Sequence, residues 1–193
     1  MSPSSATIEA PAVPAQGVLP AAHTSAASLE MRQARFERLV ESHSAYLYRY
    51  AWWLTRNRAQ AEDLVQDTFL RAWRRLEGLR SQEAAKAWLT TILRREHARS
   101  FARKRPVADE SIEPDSLPMA EPGTQVHPAD RLALHQAMKA LPEKYREPLL
   151  LQVLGGFSLA EIAQLLDRST SAVTAQVFRA KARLRVVLEP GVS

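Results

Sequence analysis

The chain has 193 residues, 46% of them hydrophobic, contains no cysteine and carries a formal net charge of +5. This length allows one or two small domains with modest cores. The lack of cysteine excludes disulfides and thiolate chemistry and favours a cytoplasmic location. No apolar run approaches the roughly 18 residues of a membrane helix, and the N-terminus has no signal-peptide pattern, so a membrane protein is not expected.

Charge is distributed unevenly along the chain. Residues 31–105 carry +9 (17 basic and 8 acidic), residues 106–129 carry −5 with no basic residue, and residues 130–193 carry +3 (9 basic and 6 acidic). Two basic blocks separated by an acidic connector are typical of two nucleic-acid-facing domains on a tether. The alternative, a basic surface that is only solvated, fits the C-terminal block better than the first.

The N-terminal part of the chain changes character at residue 34. Residues 1–33 are rich in Ala, Pro and Ser with little charge, which predicts a disordered tail. Apolar residues then recur at helical spacing and predict a first helix over 34–55. Asn57 resembles the start of a capping box and predicts a second helix over 57–76. A third helix is predicted over 84–103, rich in arginine towards its end.

The third helix is followed by a connector and a second helical unit. Residues 106–129 hold five prolines and five acidic residues, which predicts an extended, flexible linker. Helical periodicity returns at Asp130, so a second domain is predicted over 130–189, after a first over 34–105. No strand pattern appears. The predicted fold class is therefore all-α, with two small helical domains.

A helix-turn-helix is predicted over 157–188. Ser158 and Glu161 have the S-x-x-E spacing of a capping box, and Asp167, at the break, tolerates the left-handed conformation of a tight turn. The helix after the turn has a polar and basic outer face, as a helix that enters a major groove needs. The alternative is an ordinary helical hairpin with a solvated basic face. The residues predicted to point outward are Thr170, Ser171, Thr174, Gln176, Arg179, Lys181, Arg183 and Arg185.

The second predicted helix, AEDLVQDTFLRAWRRL, has acidic residues early and arginines late. This order favours the helix dipole, and Asp67 with Arg71 has the spacing of an i,i+4 ion pair. A second interpretation is a polar surface that docks another protein, since five residues share the face opposite the core. These are Asp63, Gln66, Asp67, Leu70 and Arg74. Composition does not choose between the two interpretations.

Four motifs in order resemble a bacterial sigma factor of the extracytoplasmic-function group, within the sigma-70 family: AEDLVQDTFLRAWRRL, AWLTTILRREHARSFARKR, ALPEKYREPLLL and the helix-turn-helix. The resemblance implies an alternative sigma factor that gives RNA polymerase core its promoter specificity. It implies contacts with the β′ clamp and β flap of the polymerase, with promoter DNA and with an anti-sigma factor. The first domain would open the minus-10 element, and the second would read the minus-35 element.

The resemblance also implies roles for particular residues. Polymerase binding is expected of Asp63, Gln66, Asp67 and Arg74. Minus-10 binding is expected of Arg80, Ser81 and Gln82, in a loop that holds an unstacked base, and of Trp88, Arg94, Arg95, Arg99 and Arg103. Minus-35 binding is expected of Thr170, Ser171, Thr174, Gln176, Arg179 and Lys181.

Physical considerations qualify these expectations. Arg95, Arg99 and Arg103 recur every four residues, so they form a row that can follow the phosphates of a displaced strand. Trp88 can stack on a base, although a tryptophan opening an apolar stripe is more often core. The family often has asparagine where Arg95 stands, and many relatives have Lys-Ser-Arg in place of residues 174–176. Promoter base preference therefore does not transfer directly.

An enzyme is not expected. The chain has no phosphate-binding loop and its five histidines are scattered without metal spacing, so no cofactor, metal or small-molecule substrate is predicted. The competing hypothesis is a free-standing helix-turn-helix regulator that binds an operator as a dimer, which leaves the first domain unexplained. An adaptor that binds polymerase or a regulator without DNA is a third possibility, and it leaves the basic surfaces unexplained.

Overall fold

The computed structural model describes residues 23–103 and 127–188, and every regular element in these two ranges is helical. The elements are α1 (His23–Thr55), α2 (Arg58–Arg74), a 3₁₀ turn (Leu76–Gly78), α3 (Ala85–Arg103), α4 (Pro128–Ala140), α5 (Glu143–Val153), α6 (Leu159–Leu166) and α7 (Thr170–Leu188). The all-α prediction is confirmed. None of the described helices has the length and apolar character needed to cross a membrane.

The start of α1 corrects the prediction for the N-terminal tail. The helix begins at His23, so residues 23–33 are helical rather than disordered, and the rest of the predicted tail lies outside the described residues. This segment contains good helix formers such as Ala26 and Leu29. It also gains a tertiary contact, because Arg32 Nη2 donates to the backbone oxygen of Trp73 at 2.8 Å.

The linker prediction falls mostly on residues that the structure does not describe. Of the predicted linker 106–129, only the last three residues are described, and these already belong to the start of α4. His127 caps the helix by accepting from the amide of Ala129, and Pro128 occupies the first turn. Proline is favoured there because that position has no intrahelical acceptor for an amide.

Local capping signals were predicted correctly from the sequence. Asn57 Oδ1 accepts from the amide of Gln60 at 2.9 Å and starts α2. Ser158 and Glu161 form a complete capping box at α6, and Asp167 adopts the left-handed conformation with a φ of 53°. The two caps set where α2 and α6 begin, and the left-handed Asp167 ends α6 before the turn to α7.

Each group of helices has its own buried side chains. In the N-terminal group, Leu47 from α1 and Leu93 from α3 are fully buried. In the C-terminal group, Leu151 from α5, Ile162 from α6 and Val173 from α7 are fully buried. These buried positions follow the helical periodicity of apolar residues in the sequence. This periodicity explains why the sequence predicts an all-α fold.

The two helical groups also pack against each other in this structure. Their buried side chains form one continuous apolar cluster. Arg94 Nε donates to Glu147 Oε1 at 2.8 Å, and Lys86 Nζ donates to the backbone oxygen of Gly155 at 2.9 Å. Aromatic contacts across the boundary join Tyr46 to Phe157, and both Trp52 and Trp53 to His135. We call this arrangement, in which the two helical groups are in direct contact, the closed arrangement.

Gly155, between α5 and α6, provides a stability prediction. A Cβ at this position would lie 2.6 Å from the backbone oxygen of Leu151 and 2.6 Å from the ring of Phe157. We expect Gly155→Ala to reduce the free energy of unfolding in urea by about 1–3 kcal/mol, as overpacking does. Gly78→Ala is the matched control because nothing lies within 4 Å of its added Cβ. Equal stability of the two variants would contradict the prediction.

Candidate nucleic-acid and polymerase interfaces

The outward face of α2 is exposed along its whole length. Leu64, Thr68 and Ala72 turn inward and are buried. The five residues of the predicted docking face are all exposed: Asp63, Gln66, Asp67, Leu70 and Arg74. Leu70 is 50% exposed, so an apolar side chain lies among the polar ones. A mixed surface of this kind is suited to binding a protein.

The ion pairs of α2 differ from the predicted one. Arg71 does not pair with Asp67 but with Glu96 of α3, at 2.6 Å between Nε and Oε1. Glu96 is buried and also accepts from Arg99 Nη1 at 2.9 Å. Within the described ranges neither Asp63 nor Asp67 has an ion-pair partner, so both carboxylates are available to a binding protein.

The loop before α3 is anchored at both ends and exposed between them. Leu79 and Ala85 are buried, whereas Arg80, Ser81 and Gln82 are all exposed. Ser81 Oγ accepts from the amide of Ala84 at 3.3 Å, which shapes the last turn before the helix. The three side chains predicted to meet the minus-10 element therefore project from a short, tethered segment.

Trp88 lies beneath this loop. It is partly buried and packs against both apolar clusters of the molecule. Its packing agrees with the core role that was weighed against base stacking in the sequence. Only the exposed part of the Trp88 indole could stack on a base.

The arginines of α3 have different surroundings. Arg95 and Arg99 are exposed, although Arg99 is paired with Glu96. The side chain of Arg103 lies outside the described residues. Arg94 is half-buried and faces the C-terminal helices, where it donates to Glu147 and to the backbone oxygen of Leu165. In the closed arrangement, Arg94 is therefore not presented to nucleic acid.

Electrostatics around Arg94 stabilise this contact. Burial opposes its charge, but Glu147 and Tyr50 together more than offset that effect and hold the pKa of Arg94 above its ordinary value. Tyr50 donates to the same carboxylate at 3.0 Å, and burial raises the pKa of Tyr50 well above its ordinary value. Burial lowers the pKa of neighbouring His97. Tyr50 and His97 are accordingly neutral at physiological pH, and Arg94 is charged.

The candidate recognition helix α7 presents most of its predicted face. Val173, Val177 and Ala180 face inward and are buried. The hydroxyl of Thr174 donates to the backbone oxygen of Thr170 at 2.8 Å, so its methyl group is left for apolar contact. The exposed members of the predicted set are Thr170, Ser171, Thr174, Arg179, Lys181, Arg183 and Arg185.

Gln176 departs from the predicted outward orientation. It is only partly exposed, and its Oε1 is buried without a hydrogen-bond partner in the described part of the chain. The cause is helical geometry, because Val173 three residues before it and Ala180 four residues after it are both fully buried. Its amide therefore has less freedom to reach a base than the sequence suggested.

Two features of α7 were missed in the sequence. Phe178 is 73% exposed and lies one turn beyond Thr174. Phe178 does not share the spacing of the buried residues Val173, Val177 and Ala180, and this spacing is the sequence signal that could have identified it as exposed. Arg179 lies close to the Tyr145 hydroxyl, and its guanidinium lowers the pKa of Tyr145.

Comparisons with known proteins agree with this arrangement of two helical units. Residues 39–107 match Sigma-70 region 2, and residues 131–184 match Sigma-70 region 4. The ECF RNA polymerase sigma factor SigL of Mycobacterium tuberculosis is 33% identical over 154 residues, covering 78% of this chain and 87% of the relative. The chain belongs to the ECF sigma factors of RNA polymerase. It is an alternative sigma factor, and the hypothesis of a free-standing operator-binding regulator is not favoured.

Further relatives of this sigma factor support the same assignment. RNA polymerase sigma factor SigV of Bacillus subtilis is 31% identical, covering 77% of this chain and 88% of the relative. Among solved structures, the sigma factor RpoE of Bartonella quintana with the anti-sigma factor NepR has a TM-score of 0.62 at 29% identity, covering 80% of this chain and 97% of that one. CnrH with the cytosolic domain of CnrY has a TM-score of 0.58 at 26% identity, covering 83% and 91%.

Proposed function

We propose that this sigma factor divides promoter recognition between its two helical groups and leaves the chemistry of RNA synthesis to the polymerase. The observation that carries the proposal is the pairing of an exposed polar face on α2 with an exposed basic face on α7, in the segments that match regions 2 and 4. The chain would act without catalysing a reaction, in the cytoplasm where the polymerase and promoter DNA are found.

Polymerase binding is assigned to the α2 face around Asp63 and Asp67. Both carboxylates are exposed and unpaired within the described ranges. Leu70, beside them, supplies apolar area, and Arg74 supplies a positive charge at the C-terminal end of the face. The proposed counterpart is the β′ clamp, with the β flap contacting the C-terminal group. Co-purification of the chain with core polymerase is the first test.

Minus-10 opening is assigned to the loop 80–82 and to the exposed arginines of α3. The loop offers an arginine, a hydroxyl and an amide, which are donors and acceptors for a base that has left the stack. Arg95 lies on the exposed side of α3 and can bind the phosphates of the opened strand. Arg94 and Arg103 are proposed to join it, Arg94 only after its contact with Glu147 is released.

Minus-35 reading is assigned to α7. Thr170, Ser171 and Thr174 are near the N-terminal end of the helix, which is the end that enters the groove in helix-turn-helix proteins. The Thr174 methyl and the exposed ring of Phe178 are suited to thymine methyl groups. Arg179 and Lys181 supply phosphate contacts, and Gln176 contributes only if its side chain moves outward.

Promoter binding requires the closed arrangement to open. The minus-10 and minus-35 elements are named for their positions on the promoter, which lie about 25 base pairs apart. At about 3.4 Å per pair this separation is about 85 Å. Helix α3, with 19 residues, is only about 28 Å long. Two groups of this size in direct contact do not reach both elements. We infer that the contact of Arg94 with Glu147 belongs to the free protein and is absent from the promoter complex.

An anti-sigma factor is the remaining proposed partner. The sigma factor RpoE was crystallised with the anti-sigma factor NepR, and the structure of CnrH was solved in complex with the cytosolic domain of CnrY. By similarity, this chain is proposed to be held inactive by such a protein until a signal releases it. The identity of the anti-sigma factor is to be sought by co-purification from the source cells.

Substitutions at Arg179 and Arg95 test the division of labour. We expect Arg179→Ala to weaken binding of holoenzyme to minus-35 duplex and to lower the salt slope by about one, as for one lost phosphate contact. We expect Arg95→Ala to leave that binding unchanged and to reduce strand opening, measured by permanganate footprinting. Arg58→Ala, which removes an exposed charge assigned to neither DNA-binding surface, is the control. Identical defects at Arg179 and Arg95 would contradict the assignment.

A further inference from the structure

The first part of α1 precedes the segment that matches region 2, which begins at residue 39. Two arginines of this extension nevertheless reach across to the end of α2 and the loop that follows. Arg35 Nη2 donates to the backbone oxygen of Leu79 at 2.5 Å. Arg32 Nη2 donates to the backbone oxygen of Trp73, and its guanidinium lies 4.7 Å from the centre of the Trp73 ring.

These contacts sit on a small apolar cluster that supports the loop. Leu39, Leu76, Leu79 and Ala85 are its buried members, and they come from α1, the 3₁₀ turn and both ends of the loop. Phe36, Trp73 and Trp88 pack against it. Phe36 and Trp73 meet edge to face at 5.1 Å between ring centres. Side chains of α1 therefore form part of the apolar cluster that supports the loop.

The Leu79 carbonyl is the last backbone group before the exposed side chains of the loop. The Leu79 amide is satisfied by the Leu76 carbonyl, at 3.1 Å, which closes the 3₁₀ turn. Its carbonyl accepts instead from Arg35, 44 residues earlier. A hydrogen bond from a charged donor is stronger than a neutral one, and leaving a buried acceptor unpaired is costly. Arg35 consequently fixes the peptide plane from which Arg80 departs.

We propose that Arg35, assisted by Arg32, is a positioning residue for promoter opening. It holds the segment 80–82 in the orientation that receives an unstacked minus-10 base. The proposal rests on the proposed function of that loop, and it adds a part of the chain that lies ahead of the region 2 match. Arg35 touches no nucleic acid in this scheme, since its guanidinium is committed to the Leu79 carbonyl beneath the loop.

The proposal predicts a selective defect. Removing the Arg35 side chain leaves the α2 face and the α7 face unchanged, so core affinity and minus-35 binding should be retained. The ordered loop is lost, so binding to a single-stranded minus-10 oligonucleotide should fall by about three- to tenfold, the effect of one charge-assisted hydrogen bond that is partly solvated.

The test uses holoenzyme reconstituted from core polymerase and the full chain. Strand opening is followed by the fluorescence of 2-aminopurine placed in the minus-10 element, and affinity for the single-stranded oligonucleotide is measured separately. Arg35→Ala is compared with Arg35→Lys, which keeps a charged donor, and with Arg38→Ala, which removes an exposed arginine from the same helix. We expect a loss for Arg35→Ala, partial recovery for Arg35→Lys and wild-type behaviour for Arg38→Ala.

Three outcomes would overturn the inference. Opening by Arg35→Ala equal to that of Arg38→Ala would show that the contact does not position the loop. A parallel loss of core affinity and melting temperature, unrelieved by Arg35→Lys, would show a role in folding only. Failure of the wild-type holoenzyme to open any promoter would instead overturn the proposed function, and the inference with it, so the two failures are distinguishable.

Discussion

Replacing both Asp63 and Asp67 with alanine is expected to weaken binding to core polymerase by at least about tenfold. Both carboxylates are exposed on one face of α2 and have no ion-pair partner in the described ranges. Charges of this kind that meet a complementary surface contribute to affinity and association rate, and a tenfold change corresponds to about 1.4 kcal/mol. Stability should change by no more than about 0.5 kcal/mol for each substitution, as at other exposed sites.

The control for this experiment removes the same charge elsewhere. Glu37 and Glu41 are both exposed on α1 and lie outside the docking face, so Glu37→Ala with Glu41→Ala should bind core polymerase as the wild type does. Equilibrium titration of labelled core measures the affinity, and circular dichroism reports the fold. Unchanged affinity in the Asp63 and Asp67 variant would mean that the acidic residues serve only the helix dipole.

Glu147→Ala is expected to release the two helical groups from each other in the free protein. Glu147 accepts from Arg94 and from the buried hydroxyl of Tyr50. Its removal leaves the buried phenol without its acceptor and the half-buried guanidinium with only the Leu165 carbonyl, at a cost of about 1–3 kcal/mol. This cost is avoided when the groups separate and water reaches both donors. The ratio of closed to open molecules should therefore fall by about tenfold.

The absence of cysteine makes this opening measurable. Cysteines introduced at Ala59 and Ala182, both exposed, accept a fluorophore pair, one in each helical group. We expect lower energy transfer for Glu147→Ala than for the wild type, and no change for Asp130→Ala, which removes an exposed carboxylate at the start of α4. Initiation by the reconstituted holoenzyme should be unaffected, since the contact is proposed to be absent there. Equal energy transfer in both variants would show that Glu147 does not hold the groups together.

The sequence predicted those features that depend on a few neighbouring residues. The capping box of Ser158 with Glu161 and the left-handed Asp167 are local, and they locate the helix-turn-helix without knowledge of the rest of the fold. The exposed face of α2 followed from helical periodicity in the same way. The assignment to the sigma factors likewise came from the order of four motifs, each of which is a contiguous stretch.

Contacts between distant segments could not be predicted in this way. The start of α1 depends on Arg32 reaching Trp73, 41 residues later. Arg71 has Asp67 at the right spacing along its own helix but pairs with Glu96 of the next one. Arg94 follows the arginine pattern of α3, yet its direction is set by Glu147 from the other helical group. In each case the partner is defined only by the tertiary fold.

Run-off transcription with reconstituted holoenzyme tests the central claim most directly. Core polymerase alone, core with this chain, and core with the Asp63→Ala and Asp67→Ala variant are compared on fragments of the source genome. We predict new, discrete transcripts only when the wild-type chain is present, strongly reduced with the variant. If the chain produces no new transcript but binds a specific DNA site tightly without polymerase, the account of it as a promoter-specificity subunit is contradicted.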